Sequence, residues 1–287
     1  MSSPSNSFPQ TPPVKEDKFY RARIIERKDF SSDLWRIRVD PGGEFHYAPG
    51  QYATLGVHSP SKHVERPYSI VSSPYEDFLE FFIELVPQGE PTPLLYELQV
   101  GDTFTCRRVS KGRFTLDTKS GRTNHLLLAT VTGIARFVSY VRSLHRDSKR
   151  SPVAHRLFPI EGASHSWEFG YREEMEQFAA KVPWFTYIPT ISRPWDEPDW
   201  HGETGRVDDL IRKYTDLRNL IDENSTAYLC GHPTMIENGK GILRRRGWQK
   251  DGMKEEVYFI PGKQTPVVKD KWTWPWRKLG SRHVHAA

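Results

Sequence analysis

Cysteine is scarce in the 287-residue chain, which has only Cys106 and Cys230. Two thiols exclude a disulfide framework and a cysteine-ligated zinc or iron-sulfur centre, so any redox centre is expected to be an organic cofactor rather than a metal. Long apolar runs are missing as well: no stretch reaches the 18 or so residues of a membrane-spanning helix. Met1 to Gln10 is rich in Ser and Pro and lacks the basic start and apolar stretch of a secretory leader. A cytoplasmic protein is the expectation. An excess of one charge is also lacking outside the tail. Lys plus Arg number 41 against 36 for Asp plus Glu, a formal +5. From Ile260 to Ala287, Lys263, Lys269, Lys271, Arg277, Lys278 and Arg282 stand against Asp270 alone, so the tail carries the whole excess. A formally neutral remainder argues against a general nucleic-acid-binding surface.

What is present suits a globular protein of one large or two ordinary domains, with 37% hydrophobic, 13% aromatic and 27% charged residues. Residues 1–17 are Pro- and Ser-rich and are expected to form a flexible arm. From 18 to 119, short alternating runs such as Leu34 to Val39, Tyr52 to Val57 and Leu79 to Leu85 are separated by Pro41-Gly42-Gly43, Pro49-Gly50 and Pro87-Gln88-Gly89. That grammar predicts an antiparallel barrel or sandwich. From 120 to 259 it changes to strand, loop and helix. His125 to Thr130 leads into a helix over Phe137 to Leu144, Val153 to Ile160 into one around Glu173 to Lys181, and Ala227 to Cys230 into one from Thr234 to Arg246. Alternating units of this kind predict a parallel sheet with helices on both faces and ligands at the carboxyl ends of its strands.

In the first half, Arg66-Pro67-Tyr68-Ser69 places a cation, a flat aromatic and a hydroxyl close together in an extended segment. A planar cofactor with a phosphate arm needs such a set: Arg for the phosphate, Tyr for the ring, Ser near the reacting atom. A surface strand end with an exposed tyrosine has the same signature. The order of eight motifs then resembles the ferredoxin-NADP reductase family, particularly its bacterial branch, over Lys18 to Phe259. They are Pro49-Gly50-Gln51-Tyr52, Arg66 to Ser69, Gly89-Glu90-Pro91-Thr92 with Gly101-Asp102, Thr130 to Phe137, Ser192-Arg193, Gly205-Arg206-Val207, Cys230 to Ile236, and Glu256-Val257-Tyr258-Phe259.

The resemblance implies an FAD-binding barrel over 18–119 followed by an NADP-binding α/β domain over 120–259. It puts Tyr68 against the isoalloxazine, Arg66 on the pyrophosphate with Pro67 and Ser69 beside them, and the Gly89 to Thr92 segment on a second pyrophosphate contact. Thr132 and Gly133 would open a helix toward the NADPH pyrophosphate. Ser192, Arg193 and Arg206 would hold the additional phosphate that distinguishes NADPH from NADH. Ser69, Cys230, Glu256 and Tyr258 would form the catalytic group. Cys230 also reads as a small buried core residue, and Arg206 as a solvated residue at a helix start. Three positions depart from the family pattern. Val131 replaces a usual Gly, Arg136 a usual Pro, and Ser164 an Arg that bacterial relatives usually have; Arg136 is a candidate to restore the missing phosphate-binding charge.

The activity implied is hydride transfer from NADPH to FAD, and single-electron exchange with ferredoxin or flavodoxin. A reductase component feeding a dedicated oxygenase is a rival reading. So is a non-catalytic subunit of a larger redox assembly with a weakened nucleotide site. Trp272, Trp274 and Trp276 alternate among the basic residues of the 260–287 tail, a pattern that suits docking on the fold itself, on a protein partner or on a membrane surface.

Overall fold

Residues 18–59 and 62–257 are described by a computed structural model; the expected arm over 1–17 and the tail over 260–287 lie outside the described residues. The first sheet is antiparallel. It is built from β1 (Phe19–Asp29), β2 (Leu34–Asp40), β3 (Tyr52–His58), β4 (His63–Ser69), β5 (Leu79–Glu84) and β6 (Thr103–Arg107), in the order β4-β3-β6-β1-β2-β5. Alternation fills its inner face. Ala53, Leu55 and Val57 of β3, Ile37 and Val39 of β2, and Phe104 and Cys106 of β6 point into one buried cluster, as a two-residue period requires. The sheet curls until its two edges approach. Val71, just after β4, donates its N–H to the Glu80 carbonyl of β5 at 2.8 Å. The short helix α1 (Pro91–Tyr96) adds Leu95 to the same cluster.

The second sheet is parallel, in the order β10-β9-β8-β7-β11-β12. Its strands are β7 (Asn124–Thr130), β8 (Arg156–Ala163), β9 (Ile188–Ile191), β10 (Glu203–Thr204), β11 (Ser225–Gly231) and β12 (Met253–Val257). Alternate residues of β7 serve opposite faces. Leu127 and Ala129 pack with Phe137, Val138 and Val141 of α2 (Ala135–Asp147) and Met175 of α3 (Arg172–Lys181). Leu126 and Leu128 pack with Leu210 and Ile211 of α4 (Val207–Leu217) and Ile236 and Leu243 of α5 (Pro233–Arg245). Each Leu, Ile, Val, Phe or Met among them contributes roughly 1.5–3 kcal/mol by leaving water. The chain builds outward from β7 in one direction through β8, then returns to its other side with β11. Ligand crevices of open α/β sheets form at such a reversal.

The sheets meet along α2, which turns a second face to the barrel. Ser139 donates its hydroxyl to the Ser72 carbonyl at 2.7 Å, Tyr140 donates to the Phe114 carbonyl, and the Ser143 and Ser73 hydroxyls are 3.0 Å apart. Arg142 reaches the wholly buried Glu80 of β5 at 3.1 Å, and the Tyr171 hydroxyl donates to the same carboxylate at 2.9 Å. Burial opposes ionisation of Glu80, but Arg142, Arg38 and Arg36 together hold its carboxyl below the usual range.

A different carboxyl, on β8, has no cation partner among the described residues. Glu161 is wholly buried, takes a hydrogen bond from Tyr187, and has one oxygen with no hydrogen-bond partner among the described residues. Burial pushes it up to about 8, the Tyr187 bond offsetting only part of the rise. An unfolded glutamate loses its proton near pH ~4.3. Between there and about 8 the native state therefore holds a proton the unfolded chain has released, and stability falls as pH rises. Replacing Glu161→Gln should remove that decline. Thermal unfolding is expected to favour the variant by at least about 2 °C at pH 8 and by much less at pH 5. A melting difference that does not grow with pH would contradict a protonated Glu161.

Candidate functional site

The Arg66 to Ser69 segment falls on β4, the edge strand of the curled sheet, so one side of its backbone lies outside the ladder. Arg66 and Pro67 are exposed, while Tyr68 and Ser69 are half-buried. Burial pushes the Tyr68 phenol well above its ordinary range, and Tyr68 packs against the barrel core. Arg66 lies 3.4 Å from Glu90, whose other oxygen takes Lys62 at 2.5 Å. These contacts bring the Gly89 to Thr92 turn beside Arg66, so the two predicted phosphate-binding segments are neighbours. Thr92 spends its hydroxyl within the turn, donating to the Val86 carbonyl at 3.1 Å and accepting the Val86 N–H at 3.0 Å. What this turn can offer a phosphate is therefore backbone amide rather than the Thr92 side chain.

At the carboxyl end of the parallel sheet, β7 runs into a 3-10 turn, Val131–Ile134, and then into α2. Gly133 is required there by close approach: a Cβ at that position would stand 2.5 Å from the Cys230 carbonyl. Thr132 and Gly133 are thus held against the end of β11, with Cys230 fully buried among Ala129, Ile134 and Phe137. Val131 takes φ +42°, a left-handed conformation that crowds a β-branched side chain. The glycine usual in the resembling family would adopt it without strain.

The predicted phosphate residues gather on the neighbouring strand ends. Ser192 donates its N–H to the Ala163 carbonyl at 3.0 Å, and Arg193 to the Ser164 carbonyl at 3.2 Å. Arg206 caps α4 and lies 3.6 Å from Asp208, with its side chain 57% exposed, so it is also the helix-start residue of the plainer reading. Asn238 of α5 donates to Asp208, two residues past Arg206, at 2.8 Å, which brings the N-terminal halves of α4 and α5 together, and His232, the N-cap of α5, is held below its ordinary pKa by burial and by the charge of Arg206. His165 is a residue that the sequence does not single out. It stacks on Trp167 with 4.0 Å between centroids and contacts Glu168 at 3.2 Å and Asp196 at 3.1 Å. This acid-rich setting beside Ser164 has no local sequence signal, because its members are up to 31 residues apart.

Arg136 is the residue that ties the halves of the site together. Its side chain is 2% exposed. Nε donates to the Ser69 hydroxyl at 2.9 Å, and Nη1 donates to the Gly50 carbonyl at 2.8 Å and to Glu256 Oε2 at 2.6 Å. Nη2 donates to the other oxygen of Glu256. The guanidinium also lies over the Phe114 ring at 5.3 Å. These bonds commit Arg136 to the barrel and to β12 rather than to a nucleotide phosphate, the role its charge suggests in sequence. Glu256 pairs in register with Cys230 on β11. Ser69, Cys230 and Glu256 therefore converge, whereas Tyr258 lies outside the described residues.

A cleft of about 290 Å³ lined by Arg113, Phe114, Lys254, Glu255 and Glu256 opens beside this pair. The larger cleft, about 630 Å³ around Arg172, Asp196, Trp200 and His201, belongs to the acid-rich edge and contains none of the predicted site residues. An edge strand carrying an exposed cation, a half-buried aromatic and a hydroxyl fits a planar cofactor with a phosphate arm. The glycine-bearing turn at the sheet reversal fits a dinucleotide. Among the described residues, no group of three or more His, Cys, Asp or Glu could hold a metal ion, and no helix is long and apolar enough to cross a membrane.

Comparison with known proteins agrees with this division. Residues 21–116 match the oxidoreductase FAD-binding domain family, and residues 127–240 match the oxidoreductase NAD-binding domain family. The chain is 30% identical over 235 residues to the phenol hydroxylase P5 protein of Acinetobacter pittii, covering 81% of this chain and 64% of that relative, so it spans just under two thirds of the relative's length. It is 25% identical over 261 residues to ferredoxin--NADP reductase A of Sorangium cellulosum, covering 85% and 92% of the two chains. A ferredoxin NADP+ reductase from Neisseria gonorrhoeae, solved with bound FAD and NADP, shares the fold with a TM-score of 0.72 at 21% identity, over 84% of this chain and 99% of that one. With an FAD-binding half and an NAD-binding half in this order, the chain belongs to the ferredoxin-NADP reductase family.

Proposed function

We propose that the protein is an FAD-dependent reductase that takes hydride from NADPH and passes electrons to a small acidic carrier of the ferredoxin or flavodoxin kind. The observation that carries this reading is the meeting of Ser69 from the antiparallel sheet with Glu256 from the parallel sheet on one buried guanidinium. Two ligand-binding halves whose polar side chains converge at a single point suit a reaction between two bound cofactors. FAD, when bound, supplies the redox chemistry. The side chains bind and orient. Arg66 and the amides of the Gly89 to Thr92 turn would neutralise the FAD pyrophosphate, with Tyr68 flanking the ring, Pro67 shaping the strand end and Ser69 offering a hydroxyl to the ring edge. Thr132 and Gly133 would meet the nucleotide pyrophosphate with backbone amides, Ser192, Arg193 and Arg206 its extra phosphate, and Cys230 would wall the nicotinamide. Tyr258 would cover the ring. Alignment of donor and acceptor is the protein's contribution to rate.

The 30% identity to a phenol hydroxylase P5 protein favours a second reading, in which the electrons go to a dedicated oxygenase. Both readings share the flavin and nucleotide half-reactions, and they part at the acceptor.

Anaerobic mixing of the FAD-loaded protein with NADPH should bleach the oxidised flavin absorbance rapidly. Flavin that stays oxidised would contradict the reductase reading. A charge-assisted contact to phosphate is worth about 1.5–3 kcal/mol, so Arg193→Ala should lower the NADPH-over-NADH ratio of kcat/KM by roughly 10- to 150-fold. Equal losses with both nucleotides would remove Arg193 from the phosphate site. Val131→Gly exchanges about 1–3 kcal/mol of left-handed strain for about 0.5–1 kcal/mol of added chain entropy. The variant is therefore expected to melt about 2–4 °C higher and to bind NADPH more tightly; a lower Tm would show that Val131 is not strained.

A further inference from the structure

Arg136 occupies a place where its chemistry acts on Ser69, assigned above to the flavin edge, and on Glu256, which the same guanidinium holds beside it. A guanidinium has donors only. Because Nε donates to Ser69 Oγ at 2.9 Å, that oxygen accepts and the hydroxyl hydrogen is directed to some other acceptor. The two nitrogens Nη1 and Nη2 take both oxygens of Glu256, the two-pronged pairing that matches carboxylate geometry best. The pair carries no net charge. Its surroundings hold it there: the Phe114 ring lies under the guanidinium, the Gly50 carbonyl takes a further bond, and the side chain is 2% exposed. Gly50 has φ +90°, and a Cβ there would stand 2.1 Å from the Phe114 carbonyl, so the carbonyl that receives Arg136 sits in a turn that only glycine closes. Of the other charged groups lining the cleft beside Glu256, Arg113 makes no ion pair with it among the described residues, and Glu255 and Lys254 are engaged elsewhere. Lys240 pairs with Glu255 at 2.5 Å, and Lys254 donates to the Thr115 carbonyl at 2.9 Å.

We propose that Arg136 is a positioning residue of the flavin site, which neutralises Glu256 and fixes Ser69 as a hydrogen-bond donor, so that the flavin meets a hydroxyl and a neutral ion pair in place of a bare carboxylate. The assignment rests on the FAD reading above. Its consequence is electrostatic. Reduction adds electron density to the ring, which a bare carboxylate nearby opposes and a carboxylate paired with a guanidinium does not. The clamp also fixes the relative placement of the halves, because its acceptors come from β4, the turn before β3, and β12.

The test is equilibration of the FAD-loaded protein with a reference redox dye, for wild type, Arg136→Met, Arg136→Lys, Glu256→Gln and the double variant Arg136→Met/Glu256→Gln. Removing the cation should lower the equilibrium constant for flavin reduction at least tenfold, about 30 mV for a two-electron couple. Removing the carboxylate alone should raise it, since the guanidinium is then uncompensated. The double variant and Arg136→Lys should return to within about threefold of wild type, a reversal that loss of packing would not produce. Should Arg136→Met fail to retain FAD, Glu256→Gln decides: a tenfold rise supports the proposal and an unchanged constant overturns it. FAD bound normally but a constant indifferent to both substitutions overturns the role of Arg136 and leaves the flavin reading standing. Failure of the wild-type chain to take up FAD overturns the flavin reading itself, and the proposal with it.

Discussion

One helix has to satisfy two unlike neighbours, and the rest of the structure depends on how α2 does it. Its apolar residues Phe137, Val138 and Val141 sink into the parallel sheet. Arg136, Ser139, Tyr140 and Ser143 stand at i, i+3, i+4 and i+7 on one face and bond to Ser69 and Gly50, Ser72, Phe114 and Ser73 of the antiparallel half. Such a stripe would be costly if the two halves parted without water to replace the bonds, because a buried polar group is expensive when unpaired. Hydrogen bonds have direction where apolar contacts do not. The seam therefore fixes the orientation of the two sheets, and that orientation brings Ser69 and Glu256 to the same guanidinium.

The Glu80 cluster works farther along the same helix. Arg142 spans from α2 to Glu80 at 3.1 Å and to Glu174 of α3 at 2.7 Å, tying the curled sheet, α2 and α3 at one buried point. Removing one member of a buried ionic group leaves the others unpaired and costs about 3–5 kcal/mol. Arg136 and Arg142 thus act as two pins, one at the candidate site and one away from it.

Much of this was legible in the sequence, and the failures have common physical causes. The three strand-to-helix units lie close to their expected places, because β7, β8 and β11 are apolar runs and their helices keep a 3.6-residue stripe. Residues 188–204 hold β9 and the two-residue β10, which the sequence does not mark as strands, and α4 follows at Val207–Leu217, signalled only by Arg206 as a helix start. Short strands at the sheet edge carry too few residues for a period to show. In the first half, β1 alternates charged and apolar residues over Phe19–Asp29, and its register with β2 shifts between Ile24 and Glu26, which breaks the simple period. The seam was invisible for another reason. Serines and arginines along a helix read as a solvated face, and only the barrel packed against them makes them interior. Arg136 shows the limit most clearly: its sequence position suggests a phosphate ligand, and its partners lie 67, 86 and 120 residues away.

The roles proposed for these side chains require a flavin lying along β4 with its edge toward the Ser69, Arg136 and Glu256 group. A crystal structure of the protein loaded with FAD measures this directly. The expected result is the isoalloxazine against Tyr68, the Ser69 hydroxyl donating to the ring, and Arg136 still paired with Glu256. Flavin bound away from β4, or Arg136 turned out of the seam to make room for it, would overturn these roles.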